Sequence, residues 1–329
     1  MSIRASAPAR CGLVGNPTDG YGGTVISSSV SERATVEITP ASGFELSICG
    51  QQETLAGVDD LRLTGGFTDV AKAVLLKYPE ALQTGGFLLH GDTTVPIQAG
   101  LAGSTVMLIA ILGGVLRLLG RELSKYEIAE TARDIEFNIM NVVCGFQDHY
   151  MVVFGGVNCL DFRGKDPHAA GDLPFAMVEN LEPYLPEFPY LLANTGVQRD
   201  SGSVHRPLRQ RWIEGDLEVV QGYERAAGLA RTAKKAMLSG DWRTVGGLMN
   251  ENHVIQRDLG GSGEANELLI AAALRAGAFG AKLAGAGKGG TIIALHEDLD
   301  YLSGALLEAG AARILRVIPS SGLTVHGTW

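Results

Sequence analysis

Three glycine-rich segments, far apart along the chain, restrict the folds and functions open to it. They are residues 8–23, 100–105 and 285–290. Backbone amides freed of side chains form concave anion sites, which are strongest where a helix N-terminus adds the positive end of its dipole. The second segment directly precedes a long apolar helix, the geometry that a triphosphate needs, and the hydroxyls of Ser104 and Thr105 would reach a phosphate or its magnesium. The alternative is a helix cap in which small residues pack closely.

The third segment argues against two common nucleotide-binding folds. A dinucleotide-binding fingerprint needs a strand before its glycines and a helix after them, whereas here a helical pattern precedes and the apolar strand of residues 291–295 follows. A P-loop needs Ser or Thr after its lysine, but Lys288 is followed by Gly289. Two interpretations remain: a bare turn, or a loop that closes over another site.

The length and the pattern of elements indicate two domains of mixed structure. The chain has 329 residues, and strands and helices alternate in both halves without a steady βαβ rhythm, which predicts the α+β class. A polar, turn-rich stretch at residues 166–172 is the predicted boundary, dividing the chain into domains 1–165 and 166–329. Residues 146–161 read as loop and strand.

Charge and cysteine usage exclude several classes of function. A net charge of −9 and an isoelectric point near 5.3 leave no basic surplus for nucleic acid. The four cysteines are scattered without a paired motif, which argues against a zinc site or disulfides and for a reducing compartment. The sequence opens without a secretory signal. We therefore expect a cytoplasmic protein, a monomer or homodimer, whose partner is a small molecule.

One uncharged stretch, residues 99–116, is long enough to be weighed as a transmembrane helix. It opens with a glycine segment, contains Gly113 and Gly114, and stands alone in an otherwise ordinary globular composition. We therefore expect a buried core helix and no membrane partner.

The three glycine segments and the sequences between them resemble the GHMP kinases, the family of galactokinase, homoserine kinase, mevalonate kinase and phosphomevalonate kinase. Within that family the chain looks most like plant-type glucuronokinase. The resemblance covers residues 8–295 and depends on Gly-Asn-Pro-Thr-Asp at 15–19, Gly-Leu-Ala-Gly-Ser-Thr at 100–105, Cys-Gly-Phe-Gln-Asp at 144–148, Arg-Asp-Ser-Gly-Ser-Val-His-Arg at 199–206 and Lys-Leu-Ala-Gly-Ala-Gly-Lys-Gly-Gly at 282–290.

The resemblance implies the two-domain GHMP kinase fold. Its N-terminal domain, like ribosomal protein S5 domain 2, would carry the phosphate loop and the catalytic aspartate, and its ferredoxin-like C-terminal domain would carry the last glycine loop and acceptor contacts. The implied activity is an ATP-dependent, Mg²⁺-using phosphorylation of a sugar or uronic acid, with the anomeric hydroxyl of glucuronate as the expected acceptor. The implied ATP-binding residues are Gly100, Leu101, Ala102, Gly103, Ser104, Thr105, Gly285, Ala286, Gly287 and Lys288.

A metal-binding carboxylate is expected on the helix that a capping box begins at Ser124. At 100° per residue, Glu136 lies about 70° from the centre of the apolar stripe, while Glu130 lies about 190° away and is expected to be solvated. A carboxylate at the edge of a buried face needs a partner or a metal. The resemblance assigns Glu136 to magnesium together with Ser104, and the alternative is an ion pair with Arg133.

Two further residues are implied to be catalytic. Asp148 follows a Gly-Phe-Gln turn, where a lone aspartate usually caps a helix. Arg10 lies at an apolar strand start, where an arginine requires a partner or a ligand. In the sugar kinases that the chain resembles, the aspartate matching Asp148 is the general base facing the acceptor hydroxyl. Arg10 matches the cation beside it, which keeps the carboxylate ionised and stabilises charge in the transition state.

The acceptor contacts are expected in the first glycine segment and in the basic segment 199–211. The implied substrate-binding residues are Asn16, Asp19, Tyr21, Arg199, Asp200, Ser201 and Arg206. Asn16 stands where galactokinases have Glu, which weakens a galactose assignment. Guanidinium groups of the basic segment, including Arg209, would hold a carboxylate bidentately. The alternative is a solvated basic helix face.

Two other functions stay open. The same fold could act on a different acceptor, such as a heptose phosphate, galacturonate or a mevalonate-like alcohol. The chain could instead be a nucleotide-binding regulator without catalysis. Retention of Ser104, Glu136 and Asp148 argues against a regulator, since a sensor needs no base. Thr105 replaces the small residue that usually follows Ser104 in the family, and its hydroxyl is expected to leave catalysis intact.

Overall fold

The computed structural model describes residues 2–96, 99–165, 174–186, 188–197, 202–285 and 287–329, with the backbone alone for 202–205. Within these ranges the strands are β1 (Ile3–Val14), β2 (Thr24–Pro40), β3 (Phe44–Ile48), β4 (Gln51–Leu55), β5 (Phe87–Thr93), β6 (Val157–Asp161), β7 (Met177–Asn180), β8 (Tyr190–Asn194), β9 (Gly280–Leu283), β10 (Thr291–Leu295), β11 (Arg313–Arg316) and β12 (Thr324–Gly327). The α-helices are α1 (Asp69–Lys77), α2 (Gly103–Leu118), α3 (Lys125–Asp134), α4 (Gln147–Phe154), α5 (Gly202–Ile213), α6 (Leu217–Leu238), α7 (Trp242–Asp258), α8 (Glu264–Arg275) and α9 (Leu299–Glu308).

The larger of two sheets has the strand order β12-β1-β2-β5-β3-β4, and β6 and β7 extend it beside the first residues of β2. Only the pairing of β3 with β5 is parallel among the described strands. From Ala7 onward every residue of β1 is buried, because α2, α4 and α6 all pack against this strand. The sheet and these helices form the main hydrophobic core.

The pairing of β1 with β2 is irregular around Arg10. Its register shifts between Pro8 and Arg10, and again between Gly12 and Val14. Such bulges bend a strand and redirect its side chains, and they are frequent next to active sites. Arg10 therefore lies in a part of the sheet whose geometry departs from simple alternation.

The smaller sheet has the order β11-β8-β10-β9, with every neighbouring pair antiparallel. Along the chain its elements follow as strand, helices, two strands, helix and strand, which is the split βαβ arrangement of ferredoxin-like folds. Helices α8 and α9 pack against it around a second core. The α+β class predicted from the sequence is confirmed.

The division of the chain at residue 165 stays a prediction, and the boundary segment 166–172 lies outside the described residues. The larger sheet takes strands from the predicted second domain. β7 pairs with β6, and the last strand, β12, pairs with the first, β1. The chain thus returns to its first sheet at its end.

Helix α2 is the buried core helix expected for residues 99–116. Thirteen of its 16 residues are buried. Gly113 and Gly114 permit close packing, since a Cβ atom there would lie 3.0 Å from Leu323 and 3.1 Å from Ile38. Across the described ranges, no helix combines the length and hydropathy that a membrane crossing requires.

The expectation of loop and strand for residues 146–161 is wrong in its first half. Gln147–Phe154 form α4, and only Val157–Asp161 form a strand. A short apolar run does not distinguish a buried helix from a buried strand, so contacts distant in sequence decide between them.

Candidate active site

A cavity of about 770 Å³ is lined by residues from all three glycine segments. The first segment contributes Asn16 and Asp19, the second Gly100 and Ser104, and the third Gly285. The turn after α3 and the start of α4 complete the walls. Segments that are far apart in the sequence therefore meet at one concave surface of the size typical of ligand sites.

The N-terminus of α2 opens into this cavity. Ala102 precedes the helix in a left-handed conformation, with φ of 65°, and its methyl side chain cannot cap the helix. The amides of the first turn, including those of Ser104 and Thr105, have no intrahelical acceptor. A buried helix of 16 residues thus directs free amides and the positive end of its dipole at the cavity, which favours a phosphate there.

Arg10 joins the second glycine segment to α4. Its Nε donates to Oδ1 of Asp148 at 2.6 Å, and its Nη1 donates to the carbonyl of Gly100 at 2.8 Å. The side chain is buried, which alone would lower the pKa of the guanidinium, but the charge and hydrogen bond of Asp148 outweigh burial and raise it. The arginine is therefore a fixed cation beside a carboxylate that borders the cavity.

Glu136 is buried and held by three side chains. Ser104 Oγ donates to Oε1 at 3.2 Å and Thr105 Oγ1 to Oε2 at 2.8 Å, while His149 Nε2 lies 2.8 Å from Oε2. The alternative pairing with Arg133 is not observed. Sequence analysis missed His149, although its position directly after Asp148 was a usable signal. The hydroxyl of Thr105 is thus engaged by Glu136, and the expected role of Thr105 at the phosphates stays a prediction.

Glu136 lies in a helical turn that is wider than that of an α-helix. Residues Ile135–Ile139 form a turn of π-helix directly after α3, with the amide of Met140 donating to the carbonyl of Ile135 at 2.9 Å. Such turns are rare and often occur at functional sites. Because Glu136 lies in this wider turn, the 100° spacing of a regular α-helix does not describe its direction, although its predicted proximity to the buried face is observed.

The expectation that Glu130 is solvated is wrong. Its Oε1 accepts from Lys165 Nζ at 2.6 Å and from the hydroxyl of Tyr150. Lys165 is only 2% exposed and needs a carboxylate partner. No spacing rule within α3 reveals that partner, because it comes from residue 165.

The donors around Glu136 fit a small hard cation. The hydroxyl of Ser104 and the carboxylate of Glu136 are oxygen ligands, which Mg²⁺ prefers, and they lie together at the N-terminus of α2. A second grouping shares Glu136: one ligand atom each of Glu136, Cys144 and His149 lie within 4.8 Å of one another. Sulfur and imidazole ligands suit softer metals than magnesium.

Asp19, far from α4 in the sequence, caps the N-terminus of this helix. Its Oδ2 accepts from the amides of Phe146 and Gln147 at 2.7 and 2.9 Å, so it satisfies the first donors of the helix that carries Asp148. Gly145 is required by this contact, since a Cβ there would lie 1.9 Å from Oδ2 of Asp19. The sequence pattern predicts a substrate contact for Asp19 and gives no sign of this capping role, because the capped amides lie 127 and 128 residues away.

Asn16 links the first glycine segment to the third. It is buried, and its Oδ1 accepts from Lys282 Nζ at 2.8 Å. The same ammonium group donates to the carbonyl of Leu283 at 2.6 Å, and the amide of Gly12 donates to the carbonyl of Ala284 at 3.0 Å. Burial lowers the pKa of Lys282 to about 7. The sequence marks Lys282 only as the first residue of the 282–290 motif and does not indicate this buried contact.

The third glycine segment reaches the cavity at one described residue, Gly285. Gly287 and Lys288 do not line it, and Ala286 lies outside the described residues. Gly287 packs tightly instead, since a Cβ there would lie 1.8 Å from the carbonyl oxygen of Gly261. A nucleotide role for these residues stays a prediction.

The part of the cavity bounded by α3 and α5 is aromatic and basic. Tyr21 lines it and packs on Trp212 and Tyr223, with ring centroids 5.2 and 4.8 Å away. Arg206 and Arg209 also line it. Arg133 and Phe137 line it as well, and sequence analysis missed both as cavity residues. The predicted contacts Arg199, Asp200 and Ser201 lie outside the described residues.

Two family models match this chain. The one described as GHMP kinases N terminal domain matches residues 66–156, and the one described as GHMP kinases C terminal matches residues 233–312. Together they span about half of the chain. The first range includes the second glycine segment, Glu136 and Asp148, and the second includes the third glycine segment.

Similar proteins agree on the fold but not on one substrate. The mevalonate kinase of Pyrococcus furiosus is 29% identical over 351 residues, with 99% of both chains covered. Glucuronokinase 1 of Arabidopsis thaliana is 26% identical over 299 residues, which cover 85% of this chain and 81% of that protein. A solved D-glycero-D-manno-heptose 1-phosphate kinase from Bacteriodes thetaiotaomicron has a TM-score of 0.76 at 20% identity, with 99% of both chains covered.

The predicted two-domain GHMP kinase fold is confirmed by these matches. The likeness to glucuronokinase does not distinguish that enzyme from mevalonate kinases, which match at similar identity over a larger part of the chain.

Proposed function

This chain belongs to the GHMP kinase family, phosphotransferases with an alcohol group as acceptor, and we propose that it is an ATP-dependent kinase of a sugar or uronic acid. Glucuronate, phosphorylated at its anomeric hydroxyl to the 1-phosphate, is the first candidate acceptor. The observation that carries the proposal is the bridge made by Arg10, whose guanidinium contacts both Asp148 and the carbonyl of Gly100. It joins a general base to a phosphate-binding loop within one cavity.

In this proposal the nucleotide phosphates bind at the N-terminus of α2. The amides of Gly103, Ser104 and Thr105 donate to phosphate oxygens, and the helix dipole stabilises their charge. Mg²⁺ would be held by Ser104 and Glu136, where it would neutralise charge on the β- and γ-phosphates.

Asp148 acts as the general base. It borders the cavity and takes the proton of the acceptor hydroxyl as the oxygen bonds to the γ-phosphorus and the bond to ADP breaks. Arg10 favours the ionised form of Asp148 through a hydrogen bond of 2.6 Å, and it adds positive charge near the transferred group. Phosphoryl transfer depends mainly on such positioning and charge, so no covalent intermediate is required.

The acceptor occupies the aromatic and basic part of the cavity. Tyr21 and Asp19 line the cavity and are proposed to contact hydroxyl groups of the acceptor, while Asn16 is held in the wall by its hydrogen bond with Lys282. Arg206 and Arg209 line the same cavity and can bind a carboxylate. These cations favour an anionic acceptor over a neutral sugar, which supports a uronic acid.

Mevalonate is the second candidate. The mevalonate kinase of Pyrococcus furiosus matches over 99% of the chain, and mevalonate, like glucuronate, carries a carboxylate and a hydroxyl. A heptose phosphate also combines a hydroxyl with an anion, as in the name of the heptose 1-phosphate kinase that shares the fold. Each alternative keeps the nucleotide chemistry and changes only the acceptor.

An acceptor screen separates these candidates. The purified protein is incubated with ATP and Mg²⁺ and with glucuronate, galacturonate, mevalonate, a heptose 1-phosphate, galactose or glucose, and ADP release is followed by a coupled assay. We expect glucuronate to give the highest kcat/KM. A higher kcat/KM for mevalonate or a heptose phosphate would make that compound the acceptor instead of glucuronate. If ATP binds but none of the tested acceptors leads to ADP release, the kinase proposal is contradicted.

A further inference from the structure

Arg133, near the end of α3, has no carboxylate partner within the part of the chain that the structure describes. It forms no hydrogen bond or ion pair with any side chain that the structure describes, and its Nε is buried. The two acids beside it in α3 have other partners: Glu130 binds Lys165 and Tyr150, and Asp134 binds Lys77 at 2.8 Å. A partly buried guanidinium without an anion is unfavourable, so its position calls for a ligand.

Two aromatic rings fix the orientation of Arg133. Its guanidinium carbon lies 3.9 Å from the ring centroid of Phe137 and 4.7 Å from that of Phe146. Rings stabilise the charge but accept no strong hydrogen bonds. Only Nε among its nitrogens is buried without a partner, and the residue lines the cavity, so the two terminal nitrogens remain open to it.

The surroundings of Arg133 are basic. Arg209 of α5 lies 5.8 Å from the same Phe137 ring, and Arg206 lines the same cavity. Neither forms an ion pair with a described residue. The carboxylates of the cavity are engaged elsewhere, since Asp148 binds Arg10, Asp19 binds the start of α4, and Glu136 binds Ser104, Thr105 and His149.

The arginine group lies close to the proposed base. The guanidinium carbon of Arg133 lies 4.7 Å from the ring centroid of Phe146, two residues before Asp148, and Arg133 and Asp148 line the same cavity. A ligand of sugar size can therefore reach Asp148 with a hydroxyl and Arg133 with an anionic group.

We infer that Arg133, with Arg209 beside it, forms an anion subsite that binds the charged group of the acceptor, and that the natural acceptor is an anion. The inference rests on the proposed function, because it takes this cavity as the place where the acceptor is phosphorylated. The subsite binds an oxyanion, either a carboxylate or a phosphate, and Arg133 sets the preference for anionic over neutral acceptors.

Equilibrium binding measured by titration calorimetry tests this without relying on turnover. The probes are glucuronate, mevalonate and glucose 6-phosphate, with glucose as the neutral counterpart. We expect at least one anionic probe to bind the wild type about 10- to 100-fold more tightly than glucose, and Arg133→Met to remove most of that difference. Arg133→Lys, which keeps the charge but not the fork, should retain part of it. Comparing the affinities of the wild type for glucuronate and for glucose 6-phosphate shows whether the subsite prefers a carboxylate or a phosphate.

The control variant is Arg243→Met. Arg243 also stacks on a ring, 4.6 Å from the centroid of Phe279, but it does not line the cavity. It should leave all affinities unchanged, and the affinity for MgATP should be unchanged in Arg133→Met, which shows that the variant is folded. The inference is overturned if no anionic probe binds the wild type more tightly than it binds Arg133→Met. If an anionic probe binds through Arg133 but no ADP is released, the proposed kinase activity is contradicted and the anion subsite is retained. If ADP is released with glucuronate and Arg133→Met does not change that rate, the kinase activity is retained and the subsite is contradicted.

Discussion

Arg10 connects Asp148 to the second glycine segment. Its hydrogen bonds to Asp148 and to the carbonyl of Gly100 join residues that lie 138 and 90 positions from Arg10 in the sequence. A buried arginine requires such partners, so Arg10 could be singled out from the sequence as soon as its strand was recognised. Its partners could not, because they depend on how the chain folds back.

Lys282 gives a prediction at the scale of one residue. Burial lowers its pKa from 10.5 to about 7. Between these values the unfolded chain binds the proton and the folded protein does not, so this lysine destabilises the fold at low pH and ceases to do so as pH rises. We expect the free energy of unfolding of the wild type, relative to Lys282→Met, to increase by on the order of 3–5 kcal/mol between pH 6 and pH 10.

Urea denaturation at several pH values measures that difference. Lys235 is exposed, and Lys235→Met should follow the wild type at every pH. A difference between wild type and Lys282→Met that stays constant with pH would show that the amine is protonated in both states.

At the scale of elements, the sequence predicted what local rules control. The capping box at Ser124 is present, with the Glu127 amide 3.2 Å from Ser124 Oγ and the Ser124 amide 2.7 Å from the Glu127 carboxylate. The long apolar helix was also predicted. Helix α4 and the π-helical turn after α3 were not, because Asp19 caps the one and buried partners of Glu136 accompany the other. Both features rest on contacts between distant segments.

Gly145 tests the cap of α4. A Cβ there would lie 1.9 Å from the carboxylate of Asp19, so Gly145→Ala should displace Asp19 and cost about 1–3 kcal/mol of stability. Because α4 carries Asp148, kcat should fall as well, by at least tenfold. Gly247, on the exposed side of α7 with no atom near its Cβ position, is the matched control, and Gly247→Ala should be neutral or slightly stabilising. Equal effects of the two substitutions in thermal unfolding and in kcat would contradict the role of the cap.

Glu136 in the π-helical turn is expected to bind Mg²⁺ with Ser104. Glu136→Gln keeps the shape and removes the charge, so the Mg²⁺ concentration that gives half-maximal rate at saturating ATP should rise at least tenfold. Glu122 is exposed and makes no such contacts, and Glu122→Gln should leave the Mg²⁺ dependence unchanged. An unchanged Mg²⁺ dependence in Glu136→Gln would assign this carboxylate to the support of Thr105 and His149 alone.

At the scale of the whole molecule, the cavity forms where three segments that are distant in the sequence come together as its walls. The second glycine segment is part of the half that holds the larger sheet, and the third precedes β10 of the smaller sheet. Hydrogen bonds from Lys282 to Asn16 and from Gly12 to Ala284 tie the first glycine segment to the residues directly before the third. The motifs indicated a shared site through their resemblance to a family, but the sequence alone could not place their side chains against one another.

The acceptor is the least predictable part of the molecule at this scale. In the proposed function the nucleotide would bind backbone amides and residues of recognisable motifs, whereas the acceptor would contact side chains from several elements. Arg133, Phe137 and Arg209 come from the end of α3, the turn after it and α5. No spacing in the sequence brings these three together.

The central claim is that Asp148 is the base of a kinase site in which nucleotide binding does not depend on it. Asp148→Asn preserves the hydrogen-bond acceptor for Arg10 and removes the proton-accepting carboxylate. The decisive measurement pairs titration calorimetry of MgATP with ADP release on the best acceptor of the screen. We predict that the variant binds MgATP within about threefold of the wild type while turnover falls at least 100-fold. Turnover near the wild-type rate would contradict the claim.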